Sequence, residues 1–229
     1  LEDSEPEAFI GIPLAQCARI LFRWAHQTVK IRITVGQQIF FGGFSSQQVM
    51  RLGDDGRGFT PEITARGDPA AILFTSGSTG APKGVLYTHG MFSSQAALLR
   101  ESFQIKPGEI DLATFPLFAL FDPALGVTTV FPEMDFTRPG QVDPLKIIDP
   151  IQKYNITHMF GSPALLDRVG RYGERHGIKL PTLRRVLSAG APVSLKIIKR
   201  FSTMLPREAD IHTPYGATEA LPVCSITGR

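Results

Sequence analysis

The last part of the sequence alternates short apolar segments with amphipathic ones, and this alternation limits the fold more than any other feature. Strands are predicted at residues 156–160, 185–187 and 209–212. Two helices lie between them, one opened by Ser162 and Pro163 and stopped by Gly177, the other over residues 194–204. Strand, helix, strand, helix, strand at this spacing predicts βαβ crossovers and a parallel sheet in an α/β fold.

Such a sheet also predicts where a ligand binds. In open parallel sheets, ligands lie beyond the carboxyl ends of the strands. The segments that leave the three predicted strands should therefore line one edge together: residues 161–162, 188–192 and 213–219.

The upstream sequence has weaker structural signals. Two short strands, residues 70–74 and 84–88, precede a helix that Thr88 is expected to cap. A further helix is predicted after Pro144, with its inner face at Ile147, Ile151 and Tyr154. Residues 1–68 are the least readable part, with a helix expected over 14–25 and short strands over 31–35 and 38–41.

The strongest chemical signal is the segment from Thr75 to Gly84, which reads TSGSTGAPKG. Its small residues leave backbone N–H groups free to surround an anion, and a lysine adds a point charge for a polyphosphate. A flexible turn between two strands is the alternative. The predicted phosphate-binding residues are Thr75, Ser76, Gly77, Ser78, Thr79, Gly80 and Lys83.

Two familiar nucleotide-binding patterns do not match this segment. A P-loop runs from a strand into a helix and carries Ser or Thr after its lysine, whereas Lys83 is followed by Gly84 and a strand-like run. The dinucleotide pattern Gly-x-Gly-x-x-Gly is not formed by Gly77 and Gly80.

Two further segments have the chemistry of a nucleotide site. In YGATE, residues 215–219, the tyrosine can stack on a base, the threonine can hydrogen-bond a phosphate oxygen and the glutamate can bind Mg²⁺. The small residues Gly190, Ala191 and Pro192 are suited to the floor of a flat pocket. A solvated polar loop and a tight strand-to-helix turn are the respective alternatives.

Composition excludes several classes of protein. With 43% hydrophobic residues and a net charge of only +3, the chain is not intrinsically disordered. Two cysteines are too few for a disulfide framework or a zinc site. Because His158, His176 and His212 share no ligand spacing, no metal cluster is expected from them.

The expected partners and location follow from similar arguments. Basic residues are not interleaved with an aromatic platform, so no nucleic-acid partner is expected. Asp122 and two prolines interrupt the most apolar stretch, residues 115–132, so no transmembrane segment is expected. The acidic beginning of the chain is unlike a signal peptide, and a cytoplasmic location is expected.

In order and spacing, residues 75–84, 190–192 and 215–219 resemble the signature motifs of the adenylate-forming superfamily. This superfamily includes acyl-CoA synthetases, firefly luciferase and peptide-synthetase adenylation domains. The resemblance implies an α/β fold of parallel and mixed sheets flanked by helices, as in the superfamily's large N-terminal domain. Residues 1–229 would be an incomplete N-terminal AMP-binding domain, with 69–229 as its nucleotide- and acyl-binding core and without the mobile C-terminal domain and its catalytic lysine.

The resemblance implies ATP and Mg²⁺ as cofactors and assigns roles to residues. The adenine and AMP site would consist of Gly190, Ala191, Pro192, Tyr215, Gly216 and Thr218. Glu219 would bind Mg²⁺, and Thr218 and Glu219 would be the catalytic residues of this chain. A carboxylate would attack the α-phosphorus of ATP, giving an acyl-AMP and pyrophosphate. Because both reactants are anionic, the protein has to position them and neutralise charge.

The acyl group is expected to bind between the motifs. Residues 115–122 read FPLFALFD, and Ala119 stands where acyl-CoA synthetases usually carry a histidine, which argues against coenzyme A as acceptor. Ordinary core packing is the alternative role for each aromatic residue. The predicted acyl pocket comprises Phe115, Phe118, Ala119, Phe121, Phe160 and Gly161.

This variant segment, with residues 122–126, 131–135, 10–15 and 35–38, is similar to the β-lactone synthetase family of bacterial long-chain olefin biosynthesis. That similarity implies adenylation of a long-chain 2-alkyl-3-hydroxy acid, then attack by its own β-hydroxyl to give a β-lactone and AMP. Other olefin-pathway enzymes are implied as partners. Two alternatives stay open: a long-chain fatty acyl-CoA synthetase or fatty acyl-AMP ligase, and a non-catalytic nucleotide-binding module.

Overall fold

The computed structural model describes residues 4–37, 42–54, 56, 58–75, 83–218 and 220–228. The chain divides into two compact units, Leu1–Ile63 and Thr64–Arg229. Each unit has its own sheets, and the predicted site residues all belong to the second.

The first unit is a small parallel sheet with two helices. Its elements are β1 (Ala8–Gly11), α1 (Pro13–Leu21), β2 (Ile31–Thr34), β3 (Phe44–Ser45) and α2 (Ser46–Gly53), with strand order β1-β2-β3. The helix expected over residues 14–25 ends early, because Arg23 and Ala25 adopt left-handed backbone conformations. The strand expected over 38–41 lies outside the described residues.

The second unit begins with an antiparallel hairpin followed by a helix. The hairpin consists of β4 (Pro69–Thr75) and β5 (Lys83–Thr88), and it leads into α3 (His89–Phe103). As expected, the Thr88 hydroxyl caps α3 by accepting a hydrogen bond from the Met91 N–H at 3.2 Å.

A six-stranded mixed sheet forms the centre of the second unit. Its strands are β6 (Ile110–Ala113), β7 (Thr128–Val130), β8 (His158–Phe160), β9 (Arg185–Leu187), β10 (Asp210–Ala217) and β11 (Ala220–Thr227). The spatial order is β11-β10-β9-β8-β6-β7, and all neighbours are parallel except β10 and β11. The helices that connect these strands are α4 (Asp122–Leu125), α5 (Leu145–Tyr154), α6 (Pro163–His176) and α7 (Leu195–Ser202). The predicted α/β class with parallel and mixed sheets is therefore confirmed.

Side chains along the central strands alternate between two faces of the sheet: one is wholly apolar, and the other carries both polar and apolar residues. Leu112, Met159 and Val186 are fully buried and pack in the main core with residues of α5, α6 and α7. Their sequence neighbours therefore point to the other face, toward α3 and α4. Tyr154, expected on the inner face of α5, is instead 45% exposed at the end of that helix.

The last two strands differ from the prediction. The strand expected over residues 209–212 continues to Ala217 and pairs antiparallel with β11, so Tyr215, Gly216 and Ala217 lie in a strand and not in a loop. Pro214 and Gly216 in β10 and Pro222 in β11 lower the strand propensity of the local sequence. Pairing between the two segments compensates for this weak propensity.

Candidate functional site

The carboxyl edge of the parallel strands brings the expected segments together. Phe160, Leu187 and His212 are in register across β8, β9 and β10. One residue further, the Gly161 N–H donates to the Leu187 carbonyl at 2.8 Å, and the Ser188 N–H donates to the His212 carbonyl at 2.9 Å. The segments after β8 and β9 therefore leave the sheet side by side, as predicted.

The segment after β9 has the conformation of an open turn. Gly190, Ala191 and Pro192 are exposed, and Gly190 has a φ of +89°. A residue with a Cβ atom is strained in that left-handed conformation, which explains glycine at this position. The backbone of this turn is therefore exposed at the carboxyl edge of the sheet.

The YGATE segment is held by its partner strand. Tyr215 is 69% exposed on β10 and lies opposite Cys224 of β11. Gly216 has no room for a side chain, because an added Cβ would lie 2.8 Å from the carbonyl oxygen of Ala220. Thr218 is in the turn between the two strands. Pairing with β11 therefore determines that the Tyr215 ring is exposed and that the backbone of Gly216 lies close to the backbone of Ala220.

Contacts from the hairpin reach the same turn. The Tyr87 hydroxyl of β5 donates a hydrogen bond to the Thr218 carbonyl oxygen. From α3, Gln95 Nε2 donates to the Leu221 carbonyl oxygen at 3.1 Å. These contacts bring the strand that follows Lys83 next to the YGATE segment, although the two are far apart in sequence.

The phosphate-binding prediction falls partly outside the described residues. Thr75 and Lys83 pair at the end of the hairpin, where the Thr75 hydroxyl donates to the Lys83 carbonyl oxygen at 3.5 Å. Ser76, Gly77, Ser78, Thr79 and Gly80 lie outside the described residues, and so does Glu219, the predicted Mg²⁺ ligand.

A mostly apolar cavity of about 80 Å³ lies between the sheet, α3 and the segment that contains α4. Ala189 and Pro214 line it at the carboxyl edge. Three of the residues predicted for the acyl pocket line it as well: Phe118, Phe121 and Phe160.

The other three residues predicted for the acyl pocket are not among the residues that line this cavity. Phe115 packs edge-on against Phe118, with ring centroids 5.0 Å apart, and supports the wall from behind. Ala119 is buried in the 3₁₀ turn of Phe118–Phe121, and an added Cβ on Gly161 would clash with Leu166. These residues shape the cavity indirectly.

Buried polar residues lie at the inner end of the cavity. Arg185 Nη1 forms an ion pair with Glu109 Oε2 at 2.9 Å. Next to this pair, His158 Nδ1 is 3.1 Å from the same Glu109 oxygen, and His158 Nε2 is 3.5 Å from Asp111 Oδ1. Burial and the nearby Arg185 charge lower the pKa of His158 to about 4, so its imidazole is neutral at neutral pH.

Two carboxyl groups complete this polar region. Burial, followed by the neighbouring Asp122 carboxylate, raises the pKa of Asp111 well above its ordinary value. Burial also raises the pKa of Asp122, although a hydrogen bond donated by the Thr129 hydroxyl at 2.6 Å acts in the opposite direction. Both shifts reflect the cost of a buried charge in an apolar surrounding.

This polar cluster was not predicted from the sequence. Ligand atoms of Asp111, Asp122 and His158 all lie within 4.8 Å of one another. Ligand spacing along the chain could not find them, because they belong to three separate elements. The available signal was a charged or polar residue inside each short apolar strand: Asp111 in IDLA, His158 in HMF and Arg185 in RVL.

Comparison with known proteins gives a consistent result. The model of the AMP-binding enzyme family matches residues 1–229. Two curated proteins, each called olefin beta-lactone synthetase, are 50% identical to the whole chain, one from Xanthomonas campestris pv. campestris and one from Stenotrophomonas maltophilia. The chain spans about 40% of the length of these relatives.

A solved structure supports the fold. The N-terminal domain of FACL13 from Mycobacterium tuberculosis superposes with a TM-score of 0.75 at 23% identity, over 96% of this chain and 52% of that one. Within the residues that the structure describes, no helix has the length and apolar character needed to cross a bilayer.

Proposed function

Since this chain belongs to the AMP-binding enzyme family, we propose that it supplies the nucleotide- and acyl-binding region of an ATP-dependent, AMP-forming acid ligase. The main support is the carboxyl edge of the sheet. There the segments after β8 and β9 leave the sheet side by side, Tyr87 of the hairpin contacts the turn at Thr218, and Ala189 and Pro214 line an apolar cavity. A nucleotide at this edge and an acyl group in the cavity would meet at the reacting carboxylate.

In the first step, a carboxylate oxygen of the acid attacks the α-phosphorus of ATP, and pyrophosphate leaves as the acyl-AMP forms. Tyr215 would stack on adenine, and the Thr218 hydroxyl would donate to an oxygen of the α-phosphate. Lys83 and the preceding hydroxyl- and glycine-rich segment would hold the leaving phosphates. Mg²⁺, for which Glu219 is the proposed ligand, would neutralise phosphate charge.

In the second step, the β-hydroxyl of a long-chain 2-alkyl-3-hydroxy acid attacks its own activated carboxyl carbon. The C–O bond to AMP breaks, AMP leaves, the hydroxyl proton is released and a β-lactone forms. The 50% identity to the two olefin beta-lactone synthetases supports this acceptor. So does Ala119, because an internal nucleophile does not need the histidine that acyl-CoA synthetases carry there.

The proposed domain organisation and partners follow from the same relatives. Residues 69–229 would be the nucleotide- and acyl-binding core of a large N-terminal domain, and a mobile domain with a catalytic lysine would complete the active site. Enzymes that make or consume the hydroxy acid and the lactone would be the partners.

The test uses the full-length protein with MgATP and a long-chain 2-alkyl-3-hydroxy acid, without coenzyme A, and product mass spectrometry. We expect AMP and a product lighter than the acid by one water, with a carbonyl infrared absorption that identifies a lactone. An acyl-AMP that accumulates until coenzyme A is added would instead indicate an acyl-CoA synthetase. An acyl-AMP that also persists after this addition would indicate a fatty acyl-AMP ligase.

A matched pair of lysine variants tests the nucleotide site. Lys83→Ala should lower the rate of acyl-AMP formation about 10- to 100-fold, since a charge-assisted contact to phosphate contributes about 1.5–3 kcal/mol. Lys199→Ala removes another exposed lysine, which lies on α7 and belongs to none of the three motifs, and should leave the rate unchanged. Equal rates for the two variants would contradict the assigned phosphate site.

A further inference from the structure

Three residues that the proposed adenylation does not use line the inner end of the cavity. Asp111 and His158 are neighbours on β6 and β8, and Asp122 begins α4 above them. They are 6%, 4% and 5% exposed, respectively, and they face one another across less than 4.8 Å. They therefore form a compact group of nitrogen and oxygen ligand atoms at the cavity wall.

The surroundings of His158 favour one nitrogen as a free ligand. Nδ1 faces Glu109 Oε2 at 3.1 Å, and Arg185 holds that carboxylate at 2.9 Å. A proton on Nδ1 next to the carboxylate leaves Nε2 with a lone pair. Nδ1 has no well-aligned hydrogen bond within the described residues, and Nε2 lies 3.5 Å from Asp111. The imidazole thus faces a carboxylate with Nδ1 and the cluster with Nε2.

The charge balance of this region favours a bound cation. The Arg185 guanidinium pairs with Glu109, whereas the carboxyl groups of Asp111 and Asp122 lie against each other and against His158. Unpaired carboxylates are costly in an apolar interior unless a proton or a cation compensates them. The Thr129 hydroxyl already holds one Asp122 oxygen at 2.6 Å and so fixes the direction of that carboxyl group.

We propose that Asp111, Asp122 and His158 bind a divalent transition-metal ion at the inner end of the cavity. One imidazole nitrogen with two carboxylate oxygens suits Zn²⁺, Mn²⁺ or Co²⁺, whereas Ca²⁺ and Mg²⁺ prefer oxygen ligands alone. Glu109 behind the histidine and Thr129 behind the aspartate have the positions that outer-shell partners take in metal sites. The site faces the cavity, where a further ligand can complete the coordination. It is separate from the Mg²⁺ proposed at Glu219 and does not rest on the proposed function.

Cobalt binding without ATP tests this proposal directly. The full-length protein, freed of metal, is titrated with Co²⁺ while its visible absorption is recorded. We expect about one Co²⁺ per chain with a visible band from nitrogen and oxygen ligation. His158→Asn and Asp122→Asn should abolish the band, and Thr129→Val should weaken binding about 10- to 100-fold because only the outer partner is lost.

The matched control is His212→Asn. His212 lies on the same face of the sheet, two register rows from His158, packs on Phe103 and is not part of the cluster, so this variant should bind Co²⁺ like the wild type. No cobalt uptake by the wild type, or unchanged affinity in Asp122→Asn, would overturn the proposal. If His158→Asn does not fold, the cobalt affinities of the nearly isosteric variants Asp122→Asn and Thr129→Val test the proposal in the same way.

Discussion

Arg185→Met removes one partner of a buried ion pair and should lower the stability of the protein strongly. The guanidinium is 9% exposed and pairs with Glu109, whose side chain is 8% exposed. It also donates to the Gln104 carbonyl oxygen at 3.1 Å and so holds the C-terminal end of α3 to β9. Methionine keeps most of the side-chain volume, but it leaves the Glu109 carboxylate without its ion-pair partner.

The magnitude follows from this stranded charge. Breaking a buried ion pair by removing one partner costs about 3–5 kcal/mol. For a protein unit of this size, each kcal/mol lowers Tm by about 2–4 °C, so the variant should melt about 6–20 °C lower. Urea denaturation followed by circular dichroism gives the free energy of unfolding independently.

Arg171→Met is the matched control. Arg171 forms an equally short ion pair with Asp167, at 2.7 Å, but its side chain is 60% exposed. Its loss should cost much less than the loss of Arg185, because water screens the pair. If both variants lose the same free energy, burial is not the reason for the effect.

A double variant separates stranded charge from lost attraction. Glu109→Leu with Arg185→Met removes both charged groups and should recover part of the stability lost in Arg185→Met alone. A double variant that is less stable than Arg185→Met would refute the reasoning from the stranded carboxylate.

Two further predictions concern the nucleotide edge and the pH dependence of stability. Gly216→Ala places a Cβ 2.8 Å from the Ala220 carbonyl oxygen. It should therefore lower the free energy of unfolding by about 1–3 kcal/mol and slow ATP–pyrophosphate exchange. Gly67→Ala is the control, because its added Cβ meets open space and should change neither quantity. If Gly216→Ala exchanges pyrophosphate into ATP at the wild-type rate, the close contact between Gly216 and β11 is not needed for the nucleotide site. The hydrogen bond from Arg171 lowers the pKa of Asp167 in the folded protein. The Asp167 carboxylate therefore contributes fully to the free energy of unfolding above the ordinary aspartate pKa of about 4. This contribution is lost as the pH falls through the lower pKa of the folded state. Asp167→Asn should therefore cost about 0.5–1 kcal/mol at pH 7 and progressively less in acid, measured by urea denaturation, and a difference that does not vary with pH would contradict this assignment.

Elements with strong local signals were predicted well from the sequence. The strand at residues 185–187 has the predicted bounds, and α6 begins after Ser162 and ends at Gly177 as expected. The cap at Thr88 was also correct. In the two helices the determining residue acts on its own neighbours, through a cap hydrogen bond or a left-handed glycine, so the signal is present in a short window.

Elements that depend on distant partners were not predicted. β6 and β7 are only four and three residues long and lie in or near the apolar stretch before residue 132. β11 contains Pro222, and its pairing with β10 turned the expected loop at Tyr215 into a strand. Such strands are stabilised by neighbours far along the chain, so local propensity alone does not identify them.

The sequence by itself determined the α/β class, the order of the three motifs and the edge of the sheet at which the segments after β8 and β9 leave side by side. It did so because alternating patterns and capping residues act locally. Only the tertiary structure decided that Tyr87 reaches the turn at Thr218, and that Asp111, Asp122 and His158 face one another beside a cavity. Those contacts depend on strand order and register, which place residues side by side regardless of their separation along the chain.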